Sequence, residues 1–155
     1  MGDPFTHEIR VRFAECDPQG LVFNANYLLY YDVAFTELWR AAIGPWETMV
    51  QRGVDVVVAE ARLGFSQPAR FDDELTLSVI VTKLGNTSIL THHEVLRDGQ
   101  SLVQGDMCHV LVELPALTKT PLPEWVREGL APWVAPPAPS PPSEAPACAS
   151  PARSP

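Results

Sequence analysis

One segment of this chain, Asn24 to Ala42, runs without Gly or Pro and sets Tyr27, Leu28, Tyr31, Phe35, Leu38 and Ala42 at helical spacing. At 1.5 Å per residue it predicts a helix of about 28 Å. Asn24 is available as its N-cap, and Gly44-Pro45 is a stop signal at the far end. Elsewhere the pattern has period two: Ile9, Val11 and Phe13 alternate with Glu8, Arg10 and Arg12, and Leu75, Leu77, Val79 and Val81 recur at every second position. Further strands are predicted at about 56–66, 88–97 and 101–114, with Gly85-Asn86 and Asp98-Gly99 as turns, and a short helix near 123–130. One strand, one long helix and four strands in consecutive antiparallel hairpins make an α+β fold. A single helix covers only one face of a five-stranded sheet, so the other surfaces need a partner subunit.

A chain of 155 residues has room for one domain of ordinary size. Residues 132–155 hold nine of its sixteen prolines and almost no bulky apolar residue beyond Trp133 and Val134, too little to repay the entropy of ordering. The expected division is a folded domain at 1–131 and a disordered Pro/Ala/Ser-rich tail at 132–155. A net charge of −8 disfavours nucleic acid and anionic membranes as partners. The uncharged stretch from Leu21 to Tyr31 is too short to span a bilayer, and the first ten residues lack the basic-then-apolar pattern of a secretion signal, so a cytoplasmic location is expected. Cys16, Cys108 and Cys148 cannot all pair within one chain and lack metal-ligand spacing, which predicts reduced thiols. His92 and His93 are neighbours on a predicted strand and face opposite ways, as do Cys108 and His109. Neither pair makes a metal site or a thiol–imidazole couple, and no metal is expected.

The chemistry concentrates between Glu15 and Tyr27. There a strand ends, an acid appears at Asp17, Pro18 and Gly20 shape a tight loop, and the helix begins. Free backbone N–H groups at a helix start supply positive potential where a carbonyl oxygen gains charge during acyl transfer. A carboxylate beside them can activate water or attack the carbonyl itself. The residues alone leave Asp17 with two readings, a catalytic carboxylate or a loop acid in an ordinary turn.

The stretch VRFAECDPQGLVFNANYLLYYD resembles the signature of the hot-dog-fold acyl-CoA thioesterases of the 4-hydroxybenzoyl-CoA thioesterase-like group. That signature is an acid, two residues, Gly, then an apolar stretch into a helix containing an aromatic, places held here by Asp17, Gly20, Val22 and Tyr27. The likeness continues through Gly44-Pro45-Trp46, Arg52-Gly53 and the turns at 68–75 and 84–88, about residues 6–130 in all. It implies a hot-dog fold: an approximately five-stranded, mainly antiparallel sheet wrapped around one long helix. It also implies a homodimer or dimer of dimers, with sheets joined edge to edge and active sites in the interface.

The activity implied is hydrolysis of an acyl-CoA with water as acceptor, without metal or redox cofactor, coenzyme A entering only as part of the substrate. By the same resemblance Asp17 is the general base or nucleophile, and the backbone N–H near Asn24 polarises the thioester carbonyl. Gly20, Val22, Phe23 and Tyr27 border the substrate and Asp32 lines the acyl pocket, while contact with the CoA phosphates falls to Thr87, Ser88 and backbone donors or to basic residues elsewhere. Phe23, Tyr31, Phe35 and Trp39 admit an aromatic or a short-to-medium acyl group. The chain departs from the family pattern twice. Asn24 stands where many relatives carry His or Tyr, and the turn Leu84–Ser88 has only Lys83 beside it where some relatives have a basic cluster. Glu60 is the reserve carboxylate. The competing readings are a noncatalytic acyl-thioester binding module and a thioesterase acting on acyl carrier protein, the latter disfavoured by the acidity of both proteins.

Overall fold

The structure is a computed structural model and describes residues 2–136. Its strands are β1 (Phe5–Arg10), β2 (Val54–Phe65), β3 (Glu74–Leu84), β4 (Ser88–Arg97), β5 (Gln100–Glu113) and the two-residue β6 (Thr118–Lys119). All pair antiparallel in one sheet of order β1-β3-β4-β5-β2, with β6 on the end of β5. The hairpin between β4 and β5 turns on Asp98 and Gly99, both at positive φ (51° and 78°), the backbone that a tight two-residue connection requires. Gly105 lets β5 meet β2 closely, because a Cβ there would lie 1.8 Å from the Arg62 carbonyl oxygen.

The long helix α1 (Asn26–Ala42) lies against the inner face of this curled sheet, with Tyr27, Tyr30, Tyr31, Ala34, Phe35, Leu38 and Trp39 buried. They share a core with Leu75, Leu77, Val79 and Val81 of β3 and Ile89 and Val95 of β4. Each large side chain so buried contributes roughly 1.5–3 kcal/mol of apolar transfer. Leu28, placed by its spacing on the core side, is instead 41% exposed, because the buried stripe runs through Tyr27, Tyr30 and Tyr31. A six-residue helix α2 (Trp46–Gln51), not foreseen in the sequence, follows the Gly44-Pro45 stop, and α3 (Glu124–Leu130) forms where a short helix is predicted. No helix among the described residues is long and apolar enough to cross a membrane.

Two boundaries move. Asn24 is not the N-cap of α1: Ala25 holds that place without a side-chain cap, and the helix starts at Asn26. The Asn26 side-chain amide donates to the Glu15 carbonyl at 2.7 Å, so the incoming loop, not a capping side chain, fixes the helix start. At the other end the fold runs past residue 131. Trp133 stands edge-on to Phe5 with ring centres 6.1 Å apart, and the Ala135 N–H donates to the Val81 carbonyl at 2.8 Å. Residues beyond 136, including Cys148 and most of the expected tail, lie outside the described part of the chain.

The core also holds two histidines. His93 stacks on Tyr31 (4.6 Å between ring centres) and His109 on Phe35 (3.7 Å), both buried beneath α1. The Nε2 of His93 lies 2.9 Å from the Thr91 hydroxyl, while its Nδ1 and both nitrogens of His109 have no hydrogen-bond partner among the described residues. Burial, with a smaller push from His109 and His92, lowers the pKa of His93 to about 3, and burial lowers that of His109 to about 4.

Both rings are therefore neutral in the folded protein at pH values where the unfolded chain, with histidine near 6.5, takes up protons. Their contribution to stability is complete above about pH 6.5 and is lost as pH falls towards the folded values. Together they add up to about 2–3 kcal/mol of destabilisation per pH unit in that window. Urea unfolding between pH 7 and 4.5 reads this slope, and His109→Leu is expected to remove about half of it. An unchanged slope in that variant contradicts the assignment.

Candidate active site

The segment from Val11 to Phe23 leaves β1 and returns to α1 as a closed loop. Its base is tied to the start of β3, where Val11 N–H donates to the Asp73 carbonyl (2.9 Å) and accepts from the Asp72 N–H (3.1 Å) at its own carbonyl. Its neck is closed where the Phe23 N–H donates to the Glu15 carbonyl at 2.9 Å. Within the neck, Asp17 N–H donates to the Leu21 carbonyl (2.8 Å) and Gly20 N–H to the Asp17 carbonyl (2.9 Å). Gly20 sits at φ 77°, in the left-handed region, so this turn requires glycine whatever binds nearby.

Asp17 uses one carboxylate oxygen to hold the turn. Its Oδ1 accepts the N–H groups of Gln19 (2.8 Å) and Leu21 (3.2 Å), an Asx-type arrangement, and Oδ2 has no partner among the described residues. The two readings of this residue thus converge: it is a turn acid, and the turn leaves half of its carboxylate free. That carboxylate lines a cleft of about 460 Å³, walled on one side by Leu21, Val22, Phe23 and Asn24 and on the other by Tyr27 and the 65–68 segment. The N–H groups of Asn24 and Ala25, ahead of the first helical turn, have no acceptor among the described residues. A carboxylate and a free backbone donor, from Asp17 and Asn24 on the wall of one cleft, are components of general-base or nucleophilic attack on a carbonyl.

Of the residues predicted for the site, Asp17, Val22, Phe23, Asn24 and Tyr27 come together in this cleft, and Gly20 shapes its loop without lining it. Tyr27 is committed: its buried hydroxyl accepts the Ala69 N–H at 2.9 Å, and burial raises its pKa. Asp32 does not join them. It is exposed in a second cavity, about 350 Å³, with Ala25, Leu28, Leu29, Val58 and Met107. Thr87 and Ser88 are farther still, because β3 begins beside the Asp17 loop and ends at their turn, at the opposite end of the sheet. Glu60 is exposed on β2 and paired with Arg62 at 2.7 Å. His92 turns outward to Asp106 (2.8 Å) while His93 is buried, the divergence expected of strand neighbours. No three His, Cys, Asp or Glu side chains among the described residues converge as a metal-ligand set.

Sequence reasoning passes over Glu15, which nothing in the local pattern distinguishes from a solvated acid. Its carboxylate is buried and receives the Arg12 backbone N–H (2.8 Å), the Arg12 guanidinium (2.6 and 2.8 Å) and the Tyr30 hydroxyl (2.8 Å). Burial pushes its pKa up, but the Arg12 N–H, the guanidinium and the Tyr30 hydroxyl outweigh that and hold it below the usual carboxylate range. Tyr30 is pushed well above a normal phenol, by burial first and then by its bond to Glu15.

A family profile described as the thioesterase superfamily matches residues 19–104, beginning two residues past Asp17. The chain is 30% identical over 100 residues to the 4-hydroxybenzoyl-CoA thioesterase of a Pseudomonas species, covering 63% of this chain and 71% of that one. It is 26% identical over 99 residues to the acyl-CoA thioester hydrolase YbgC of Escherichia coli, covering 64% and 74%. Among solved structures, the 1,4-dihydroxy-2-naphthoyl-CoA thioesterase of Synechocystis superposes with a TM-score of 0.76 at 22% identity, over 83% of this chain and 96% of that one, a likeness of fold.

Because Tyr27 supplies the acceptor for Ala69, Tyr27→Phe leaves a buried N–H unpaired. The expected cost is about 1–3 kcal/mol, read as a lower urea midpoint. A midpoint unchanged from the parent shows that the Ala69 N–H has another acceptor.

Proposed function

The chain belongs to the thioesterase superfamily, whose relatives named above are acyl-CoA thioesterases, and from that premise we propose that it hydrolyses an aromatic or short-to-medium acyl-CoA at the cleft beside Asp17. The observation that carries the reading is the free Oδ2 of Asp17, a residue lining the same cleft as Asn24, whose backbone N–H has no acceptor among the described residues. As general base, Asp17 takes a proton from water as the oxygen adds to the thioester carbonyl. The resulting oxyanion is held by the helix-start donors, and collapse expels the CoA sulfur, which regains the proton. As nucleophile, Asp17 forms a mixed anhydride with release of CoA thiolate, and water then cleaves the anhydride. Neither route needs a metal or redox cofactor. Single turnover in ¹⁸O-water separates them, since only the anhydride route can label the Asp17 carboxyl.

The site is completed, in this reading, by a second copy of the chain. β2 is an edge strand of twelve residues whose outer side has no partner strand among the described residues, and Val58 and Phe65 on it remain 49% and 56% exposed, Phe65 even though Tyr27 of α1 stands edge-on to it at 5.6 Å. Such an edge invites pairing. Antiparallel pairing with the β2 of another copy covers it and sets the Val54 end of one strand beside the Phe65 end of the other. Val54 pairs with Glu113, and Ser88 with Val110, so the 85–88 turn lies at that same end of the sheet. Thr87 and Ser88 then serve the cleft of the opposite subunit, where hydroxyl and backbone donors meet the CoA phosphates. Asp32, in its largely apolar cavity, accepts a hydrogen bond from a polar acyl group.

Asp17→Asn tests the reading directly. An amide keeps the oxygen that accepts from Gln19 and Leu21, so the loop and substrate binding survive, while turnover falls by about 10²–10⁴-fold. Thiol release within about twofold of the parent across an acyl-CoA panel removes Asp17 from the chemistry. The subunit arrangement has its own test: Val58→Lys is expected to convert a dimer or larger assembly to monomer by light scattering, with loss of turnover per chain. A parent protein that is monomeric at micromolar concentration and fully active contradicts the shared site.

A further inference from the structure

We infer that Glu15 is a positioning residue of the hydrolytic site, setting the distance between the Asp17 carboxylate and the helix-start donors through its bonds to Arg12, Tyr30, Phe23 and Asn26. The inference rests on the assignment of Asp17 above. A buried carboxylate is costly unless it is fully hydrogen-bonded. Here every lone-pair direction in use meets a donor: Oε2 takes the Arg12 N–H and the Tyr30 hydroxyl, both at 2.8 Å, and Oε1 takes the Arg12 guanidinium at 2.6 and 2.8 Å. The main-chain carbonyl of the same residue accepts the Phe23 N–H (2.9 Å) and the Asn26 amide (2.7 Å).

Glu15 is thus fixed twice to α1, by its side chain to Tyr30 in the second turn and by its backbone to Asn26 in the first. Asp17 follows it by two residues, and the free donors of Asn24 and Ala25 follow Phe23 by one and two. Both halves of the chemistry therefore hang from this one residue. A misplacement of about 1 Å between reacting groups can cost on the order of 10²-fold in rate. The Glu15 carboxylate itself is turned away from the cleft, to Arg12 and Tyr30, and it does not touch substrate.

Steady-state kinetics on verified folded variants test this. Glu15→Ala is expected to lower kcat by about 10- to 100-fold with KM within about threefold. Glu15→Gln is expected to stay near the parent, because the amide oxygen can keep the bonds from the Arg12 N–H and Tyr30. The decisive comparison repeats Glu15→Ala in the Asp17→Asn background. A positioning role predicts little further loss of the residual rate there, since no carboxylate remains to be placed. An equal loss in both backgrounds, a folded Glu15→Ala protein with the parent kcat, or a Gln variant as slow as Ala each overturns the inference. If Glu15→Ala does not fold, Tyr30→Phe carries the test, with a smaller kcat loss expected that disappears in the Asp17→Asn background. A Tyr30→Phe protein at the parent kcat overturns it. Parent-level turnover of Asp17→Asn, by contrast, overturns the Asp17 assignment itself, whatever Glu15 does.

Discussion

A sheet curled around one helix has room for a single buried stripe, and in this protein α1 fills it with aromatics. Tyr27, Tyr30, Tyr31, Phe35 and Trp39 are all nearly inaccessible, and their bulk sets how far β3, β4 and β5 stand from the helix axis. Three consequences follow. Polar atoms carried on that stripe seek partners inside: Tyr27 finds Ala69 and Tyr30 finds Glu15, whereas the Tyr31 hydroxyl and Trp39 indole have no hydrogen-bond partner among the described residues. The helix leaves part of β2 uncovered: Val54, Val56, Ala61 and Leu63 pack against the core, whereas Val58 and Phe65 stay exposed. The helix start must emerge at the rim of the sheet, where its unpaired N–H groups face a cleft and not a core.

The loop before α1 converts that rim into a site. Because the neck between Glu15 and Phe23 is closed by backbone bonds, the intervening turn has little freedom, and Asp17 is held by two N–H bonds to one oxygen while the other is left open. The arrangement is inexpensive in residues. Gly20 meets a φ that other residues adopt with strain, and the acid that organises the turn is the same one proposed for the chemistry. Stability and activity are therefore carried by overlapping groups, so a substitution in the loop must be read by kcat and by unfolding together before either effect is assigned.

Much of this was legible in the sequence, for identifiable reasons. Period-two alternation over 74–82 located β3, which starts at Glu74 and runs two residues further to Leu84, and the turn chemistry of Asp98-Gly99 matches the positive φ found at both positions. Asp17, Val22, Phe23, Asn24 and Tyr27 could be grouped because they are close in sequence as well as in space. What failed depended on long-range partners. Asn24 has the chemistry of a cap, but Asn26 reaches the Glu15 carbonyl and displaces the helix start. Glu15 reads as a solvated acid until Tyr30, fifteen residues later, is seen to bond to it. His93 and His109 read as ordinary strand residues, since only the stacked rings of Tyr31 and Phe35 reveal that they are buried and neutral. The fold also extends past 131 because Trp133 has Phe5, from the other end of the chain, to pack against.

In the proposed function, chemistry and selectivity are spatially separate. The groups proposed to act on a carbonyl come from residues 17–25, within a single closed loop and helix start. The Asp32 cavity is bounded instead by the outward side of α1 and by Val58 and Met107 on the strands, with no side chain taken from the Asp17 turn. Changes at Leu28, Leu29 or Val58 can therefore reshape the space offered to an acyl group without disturbing the bonds that orient Asp17. The reverse does not hold. Ala25 belongs to both cavity wall and helix start, so a bulky residue there would alter acyl fit and carbonyl polarisation together.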